Sequence, residues 1–467
     1  MTAATVRTSA GRKPPKPAQE EIVPREDTAS GAGSRFEHLL YVGVFAVLAF
    51  IKCPGLFLDP RFWAEEGSVY FAKLREASFW QALTLTNLGS YQGLENLSVY
   101  LATLVPLEFA PTVTTYLAFL LHAAVAFQIA TVAAAYGLSR IVGLLLVAAW
   151  VLVPQSYEVW LSATNMQWVV GVSMLMVFAL PAQQLERQPL LYTAWATVCG
   201  LSGIPGVLLA PFFLIRWVDE KSKALLAIGI AGLACGLVQA AVVVTLGSSG
   251  RQYVTDPLLL VMPTVLQSIL APLFSAEFAG AIGYAINTHL PHIDGMLLGC
   301  LILAAGVGHL AYSSSQSVAG ALTVQVIGLA VLVSLIQTFG ALGNARDLLS
   351  GYGGARYYLF GSMSLCLLLA WGTKSADALL RKEAFALLVL VTLTGVAVRY
   401  TSTTVAVMLA GPSFRQQVRD CDRSAAPACR VQLWPPTSGR WNLEIKRAAE
   451  PPPAGQSSMR VATSPHA

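Results

Sequence analysis

The run TTYLAFLLHAAVAFQIATVAAA, residues 114–135, contains no charged side chain. It is long enough to cross a bilayer, for which roughly 20 apolar residues suffice. LLYVGVFAVLAFIKCPGLFL (39–58) and ALTVQVIGLAVLVSLIQTFGAL (321–342) are comparable in length. Inside hydrocarbon every backbone N–H and C=O must find a partner within the protein, so such runs are read as helices. Composition agrees: 55% of the residues are hydrophobic and 12% charged, against about 25% charged in a typical soluble domain. The expected fold class is an all-α integral membrane protein.

Basic residues of short loops favour the cytoplasm, which orients the spans. Arg7, Arg12, Lys13 and Lys16 place the N-terminus inside. Residues 1–38 are expected to be a disordered cytoplasmic tail, because they offer little apolar surface to bury, with the first span an uncleaved anchor. Segment 59–96 is then the first extracytoplasmic loop, Arg140 and QQLERQP (183–189) return inside, and VPQSYEVWLSATNMQW (153–168) is an outer loop. The stretch 190–223 is best read as two short helices meeting at LSGIPG, since Gly and Pro break a helix and irregular backbone is tolerated at depth where it lines a cavity. Residues 263–290 read as an outer amphipathic or half-inserted element, and 295–312 as a crossing. A polytopic domain over 39–400 with about 11 transmembrane helices results, followed by an extracytoplasmic C-terminal tail, 401–467. Within that tail RVQLWPPTSGRWNLEIKR has the alternation of a small hairpin.

The net charge of +5 is scattered rather than gathered in one patch, which gives no footprint for nucleic acid. Five of the seven cysteines lie in or near apolar runs and read as small hydrophobes. Cys421 and Cys429 stand apart in polar DCDRSAAPACR; they are either a local disulfide in an oxidising compartment or two unrelated thiols. No phosphate-binding Gly-Lys loop, dinucleotide fingerprint or zincin motif is present.

The chemistry-bearing residues collect in the outer loops. FWAEEG (62–67) sets Glu65 beside Glu66 just after the first run, with Asp59 upstream. A carboxylate near low-dielectric surroundings titrates higher, towards the range of a general base, and adjacent acids spread their titrations apart. A solvated loop is the alternative, and for Lys73, Arg75 and Glu76 it is the better one. NARDLLSGYGGARYY supplies Arg346 and Arg356 with Tyr357, and GSSGRQYVTDP supplies Arg251; Arg binds phosphate bidentately, though Arg and Tyr also serve as interface anchors. Glu158 and Asn165 are candidates for an acceptor cavity. THLPHID offers His289, His292 and Asp294 at a spacing that falls short of a secure divalent-metal site. His122 reads as hydrogen-bonded packing.

Glu65-Glu66, then Tyr70-Phe71-Ala72, then Arg75-Glu76 and Phe79-Trp80 resemble the first extracytoplasmic loop of the GT-C superfamily of integral-membrane glycosyltransferases. Protein O-mannosyltransferases and lipid A aminoarabinose transferases belong to it. The resemblance covers the first third of the chain, with Glu in place of Asp at the first acid. It implies a polyprenyl-phosphate-linked sugar as donor and a hydroxyl on an envelope glycan, lipid or protein as acceptor. It also implies action at the outer face of a bacterial inner membrane, with inversion. Glu65 or Glu66 would be the base, Asp59 a third candidate, and Arg356 and Arg346 would meet the departing phosphate. LSGIPGVLLAP (201–211) resembles the superfamily's short helix–turn–helix, without its usual Thr-Lys. No cofactor is implied with certainty and a divalent metal stays open. A lipid-linked saccharide flippase or transporter and a surface-polysaccharide polymerase or ligase are the competing functions.

Overall fold

A computed structural model describes residues 31–87, 89–246, 253–289, 308, 320–341, 345–350, 354–424, 426–436 and 441–446. It is mostly helical. The principal helices are α1 (Gly31–Lys52), α2 (Gly93–Thr103), α3 (Ala110–Ala135), α4 (Arg140–Leu152), α5 (Met166–Ala179), α6 (Pro189–Gly200), α7 (Ala210–Glu220) and α8 (Lys223–Leu246). They continue with α9 (Pro257–Val265), α10 (Ala276–His289), α11 (Ala321–Phe339), α12 (Leu359–Gly372), α13 (Ala378–Thr401) and α14 (Phe414–Arg423).

Four of them, α3, α8, α11 and α13, are long and apolar enough to cross a membrane. Leu120, Leu237, Val244 and Leu393 project outward from the bundle, each more than half exposed. Such side chains suit a lipid-facing surface, since no water-soluble domain gains by displaying them. The middle of the bundle is α4, α5 and α12; the side chains of α5 and α12 are almost all buried, as are those of α4 from Leu146 onward. At 13 or 14 residues these helices are shorter than the roughly 20 residues of an isolated span. Among the described residues four helices have the length and composition of a span, where about 11 transmembrane helices are expected. The chain leaves helical geometry early at 153–165 and at 354–358, where it lines a cavity.

Contacts sort the loops to two ends of the bundle. At one end Arg140 pairs with Glu37 at 3.1 Å, Tyr136 donates to the Ala179 carbonyl, and Ser222 donates to Glu186 at 2.6 Å. Buried Arg216 donates there to the carbonyls of Phe178 and Leu180. At the other end the Arg399 guanidinium donates to the Lys52 carbonyl at 2.6 Å. Helices α6 and α7 leave and return to the first end. Their break falls at LSGIPG as the sequence predicts: Gly203 has φ +149°, and a Cβ there would stand 2.5 Å from Gln167 Cβ.

Two regions differ from their predicted character. Residues 31–38, expected to belong to the polar tail, already form the first turns of α1; residues 1–30 lie outside the described residues. Within the C-terminal region, expected as a tail, the described residues between 414 and 446 form a folded module. Strands β3 (Ala428–Gln432) and β4 (Asn442–Lys446) form the predicted antiparallel hairpin. The Cys421–Cys429 disulfide ties α14 to β3. (A smaller ladder, β1 Thr86–Asn87 with β2 Ser90–Tyr91, lies in the first long loop.) The module docks on the segment that leads into FWAEEG. Trp434 donates its backbone N–H to the Phe62 carbonyl at 3.1 Å and accepts from the Ala64 N–H. The Arg61 guanidinium stacks on the Trp434 ring at 3.4 Å, and Phe414 packs edge-on against Phe62. Gly67 is required here, because a Cβ would meet Leu433 at 2.7 Å.

Trp434→Ala should release this module, since emptying a buried tryptophan site costs about 3–5 kcal/mol. Limited proteolysis in detergent is expected to cut between 401 and 446 in the variant at protease levels that spare the native chain. Identical cleavage of the two proteins would contradict the docking.

Candidate functional site

Segment 59–96 folds back over the bundle and becomes one wall of a cavity of about 250 Å³. Ala64 turns the chain in the left-handed region, φ +32°, a conformation costly for a residue with a Cβ. Its N–H bond to Trp434 helps hold it there. Glu66–Phe71 then runs as a wide-turn π-helix, a local form frequent at functional sites.

This geometry separates the two adjacent acids. Glu65 lines the cavity. Glu66 turns the other way and is 1% exposed. Its carboxylate accepts from Ser162 Oγ at 3.0 Å and from the Ala163 N–H at 3.2 Å, and also from the Thr114 hydroxyl and the Trp63 N–H. Those donors belong to α3, to the 160–165 turn and to the loop itself, so Glu66 pins the loop to the bundle. Burial raises its pKa from 4.5 to about 7, against the lowering effect of these hydrogen bonds. Asp59 does not reach the cavity; it ends the short helix Pro54–Leu58.

A third acid, Glu95, lies behind the cavity wall. It sits in the first turn of α2, is 1% exposed, and accepts from Thr164 Oγ1 at 2.6 Å. Tyr70, which lines the cavity, shares a hydrogen bond with it. Burial pushes Glu95 well above the usual carboxylate range, and the negative charges of Glu66 and Glu65 add to that. Sequence reasoning assigns Glu95 no role. The available signal was its place beside Asn96 at the start of a helical run, where an acid can turn inward.

Arg356 and Tyr357 line the cavity as well. They lie in the 3-10 turn Ala355–Tyr358 that opens α12. Glu158 reaches across from the 153–165 segment: one of its oxygens accepts from the Arg356 backbone N–H at 3.1 Å and the other pairs with the guanidinium. Burial is the largest single influence and works against the Arg356 charge, but Glu158, Tyr357 and Glu65 together outweigh it, so the arginine pKa is raised. Asn165 lines the cavity too and donates to the Glu158 main-chain carbonyl at 2.9 Å. Of the pair predicted for an acceptor cavity, then, Asn165 faces it, while Glu158 holds the arginine.

The floor comes from helix ends. Ile204 and Pro205 of the LSGIPG break line it. That break is tied to the first loop by the Gly93 N–H to the Leu201 carbonyl and by Gln239 bridging Tyr91 and Gly200. The end of α11 brings Gln337 and Phe339, the latter stacked on Tyr253. Trp168 and Tyr357 meet edge to face, centroids 5.0 Å apart. Several polar atoms of lining residues are buried without a partner: both side-chain atoms of Gln337, Oε1 of Gln92 and Nε1 of Trp168. Each such group costs about 1–3 kcal/mol.

The remaining candidates are placed less fully. The backbone of Arg346 lies in the 3-10 turn Ala345–Leu349, with its side chain outside the described residues. Arg251, His292, Asp294 and the side chain of His289 are outside them as well. Among the described residues no three His, Cys, Asp or Glu side chains gather as metal ligands. His122 is buried packing, its Nδ1 bonded to the Ala118 carbonyl at 2.8 Å between the rings of Trp150 and Trp160.

No family model matches the chain, and neither a curated protein nor a solved structure matches it.

The raised Glu66 pKa carries a stability signature. An unfolded Glu66 loses its proton near pH 4.5 and the folded one near 7. Protons are therefore bound more tightly in the folded state. The stabilisation is full below pH 4.5, declines as pH rises through the interval, and is gone above about 7. Glu66→Gln should remove about 3 kcal/mol of that dependence. The thermal midpoint of the variant in detergent is expected to fall less than that of the native chain between pH 4.5 and 7. Parallel curves would contradict the assignment.

Proposed function

We propose that this chain is a GT-C-like integral-membrane glycosyltransferase that moves a sugar from a polyprenyl-phosphate donor to an acceptor hydroxyl of a cell-envelope glycan, lipid or protein. The observation that carries the proposal is that Glu65 and Arg356 line one and the same cavity. A base and a phosphate-binding cation are the two groups that such a transfer requires. The Glu65 carboxylate takes the proton of the acceptor hydroxyl, and the freed oxygen attacks the anomeric carbon on the face opposite the phosphate. The carbon–oxygen bond to the phosphate breaks, and the phosphate leaves with the electron pair, its charge met by Arg356. One displacement inverts the anomeric centre and yields a glycoside and a polyprenyl phosphate. Glu158 keeps the guanidinium aimed, and Glu66 keeps the Glu65 loop in place. Asp59 is set aside as a base because it stands away from the cavity.

The arrangement of loops supports a membrane orientation. Arg140, Arg187, Arg216, Lys221 and Lys223 gather at the end of the bundle opposite the cavity, as the bias of basic residues towards the cytoplasm requires. The cavity would then face the outside of a bacterial plasma membrane, with the N-terminus cytoplasmic and the C-terminal module extracytoplasmic. Taken as crossings, α1, α3 to α8 and α11 to α13 make ten. The chain must also return between 246 and 320, which gives eleven. A disulfide in the C-terminal module suits an oxidising exterior. A transporter is disfavoured because such proteins place ionisable groups near the bilayer midplane, whereas Glu65 and Arg356 lie outside the long helices.

Glu65→Gln should lower transfer by about 10²–10⁴-fold, the range typical of a lost general base, while Glu66→Gln retains measurable transfer. Mass spectrometry of envelope glycans and lipid-linked pools in strains carrying each variant reads the difference. Unchanged pools with correctly inserted Glu65→Gln protein would overturn the proposal.

A further inference from the structure

Apart from Glu65 and Arg356, the polar part of the cavity lining is neutral. Its described charged residues are Glu65 and Arg356, and Arg356 is already engaged by Glu158. What surrounds them is amide and indole: Gln92, Gln167, Asn165 and Gln337, with the rings of Trp168 and Tyr357. Gln337 is the telling member. It lies one turn from buried Ser334 on α11, is 6% exposed, and leaves both its amide oxygen and its amide nitrogen without a partner. Oε1 of Gln92 and Nε1 of Trp168 are in the same condition. Buried polar groups of native proteins are otherwise nearly always paired, so a cluster of unpaired ones around a cavity marks where a ligand's own groups complete the network.

We infer that this cluster is a subsite for a single neutral sugar ring, with Gln337 its specificity-determining residue. The inference rests on the transferase reading of the same cavity and names its substrate class. An amide presents one acceptor and two donors, which matches a pair of neighbouring hydroxyls, each both donor and acceptor. Trp168 and Tyr357, set edge to face, form a corner against which the apolar face of a pyranose or furanose packs. The rotatable stem of Gln337 lets its amide turn into the cavity when hydroxyls arrive. A volume of about 250 Å³ lies just below the roughly 300–1,000 Å³ of drug-sized sites, room for one ring rather than an oligosaccharide. A uronic acid would bring its carboxylate towards Glu65, and in the transferase reading Arg356 is taken by the donor phosphate.

Binding is measured on the full-length protein in a detergent without a sugar headgroup, by saturation-transfer NMR. The probes are methyl glycosides of neutral hexoses and pentoses, a methyl hexuronoside, and farnesyl phosphate. At least one neutral methyl glycoside should bind at least tenfold more tightly than the hexuronoside. Gln337→Leu should weaken it at least tenfold, leave farnesyl phosphate binding unchanged, and leave the ligand-free melting temperature unchanged or raised. The last readout separates recognition from architecture: a structural glutamine would lower the melting temperature when lost, whereas an amide kept for a ligand would not. A hexuronoside that binds as well as the neutral glycosides, or a Gln337→Leu protein that keeps native glycoside affinity, overturns the inference. Failure of farnesyl phosphate to bind while glycosides do strikes the lipid-phosphate donor and leaves the sugar subsite standing.

Discussion

The pairing of Glu158 with Arg356 holds the site together. It joins the turn between α4 and α5 to the turn that opens α12, segments almost 200 positions apart in the chain. The pair is only partly exposed, so removing one partner leaves the other charge poorly compensated. The pair therefore fixes both the position of a cation and the spacing of two cavity walls. The main-chain contact to Arg356 N–H from the same carboxylate extends this control to the backbone of the turn. Short central helices follow as a consequence. α4 stops early and α5 and α12 start late, so that 153–165 and 354–358 run as short turns joined through Glu158, and such chain is tolerated at depth where it lines a cavity.

Two devices of different origin converge on the Glu65 loop. From the bundle side, Glu66 collects donors from α3 and the 160–165 turn. From the other side, the disulfide-linked C-terminal module pairs with the backbone of Phe62 and Ala64. Between them the left-handed Ala64 and the π-helix after it are over-determined, which is how strained backbone persists in folded proteins. Neighbouring acids thereby acquire opposite tasks: one is sealed in protein as a fastener, and the other is left facing the cavity.

Much of this was legible in the sequence for local reasons. Long uncharged runs can only be helices in lipid, Gly203 and Pro205 can only break them, and the alternation around Trp434 and Pro435 is that of a hairpin. The separation of Cys421 from the apolar cysteines likewise anticipated the disulfide. The site was legible in part: Glu65, Arg356, Tyr357 and Asn165 line one cavity. What could not be read were facts of long-range packing. Nothing in the local pattern says which of two adjacent glutamates turns inward, because that depends on Ser162 and Thr114. Nothing near residue 434 says that it meets residue 62. Glu95 and Gln337 were overlooked for opposite reasons, one hidden in a charged loop and the other in an apolar helix. Asp59 looked eligible only because its sequence distance from Glu65 is short.

The most direct test of the central claim is photo-crosslinking with a diazirine-bearing prenyl phosphate, followed by peptide mapping. The cavity account predicts labelling within 159–168 and 354–358, suppressed by excess farnesyl phosphate and reduced by Arg356→Ala. Labelling confined to the lipid-facing sides of α8 and α13, insensitive to competitor and to the substitution, would contradict it.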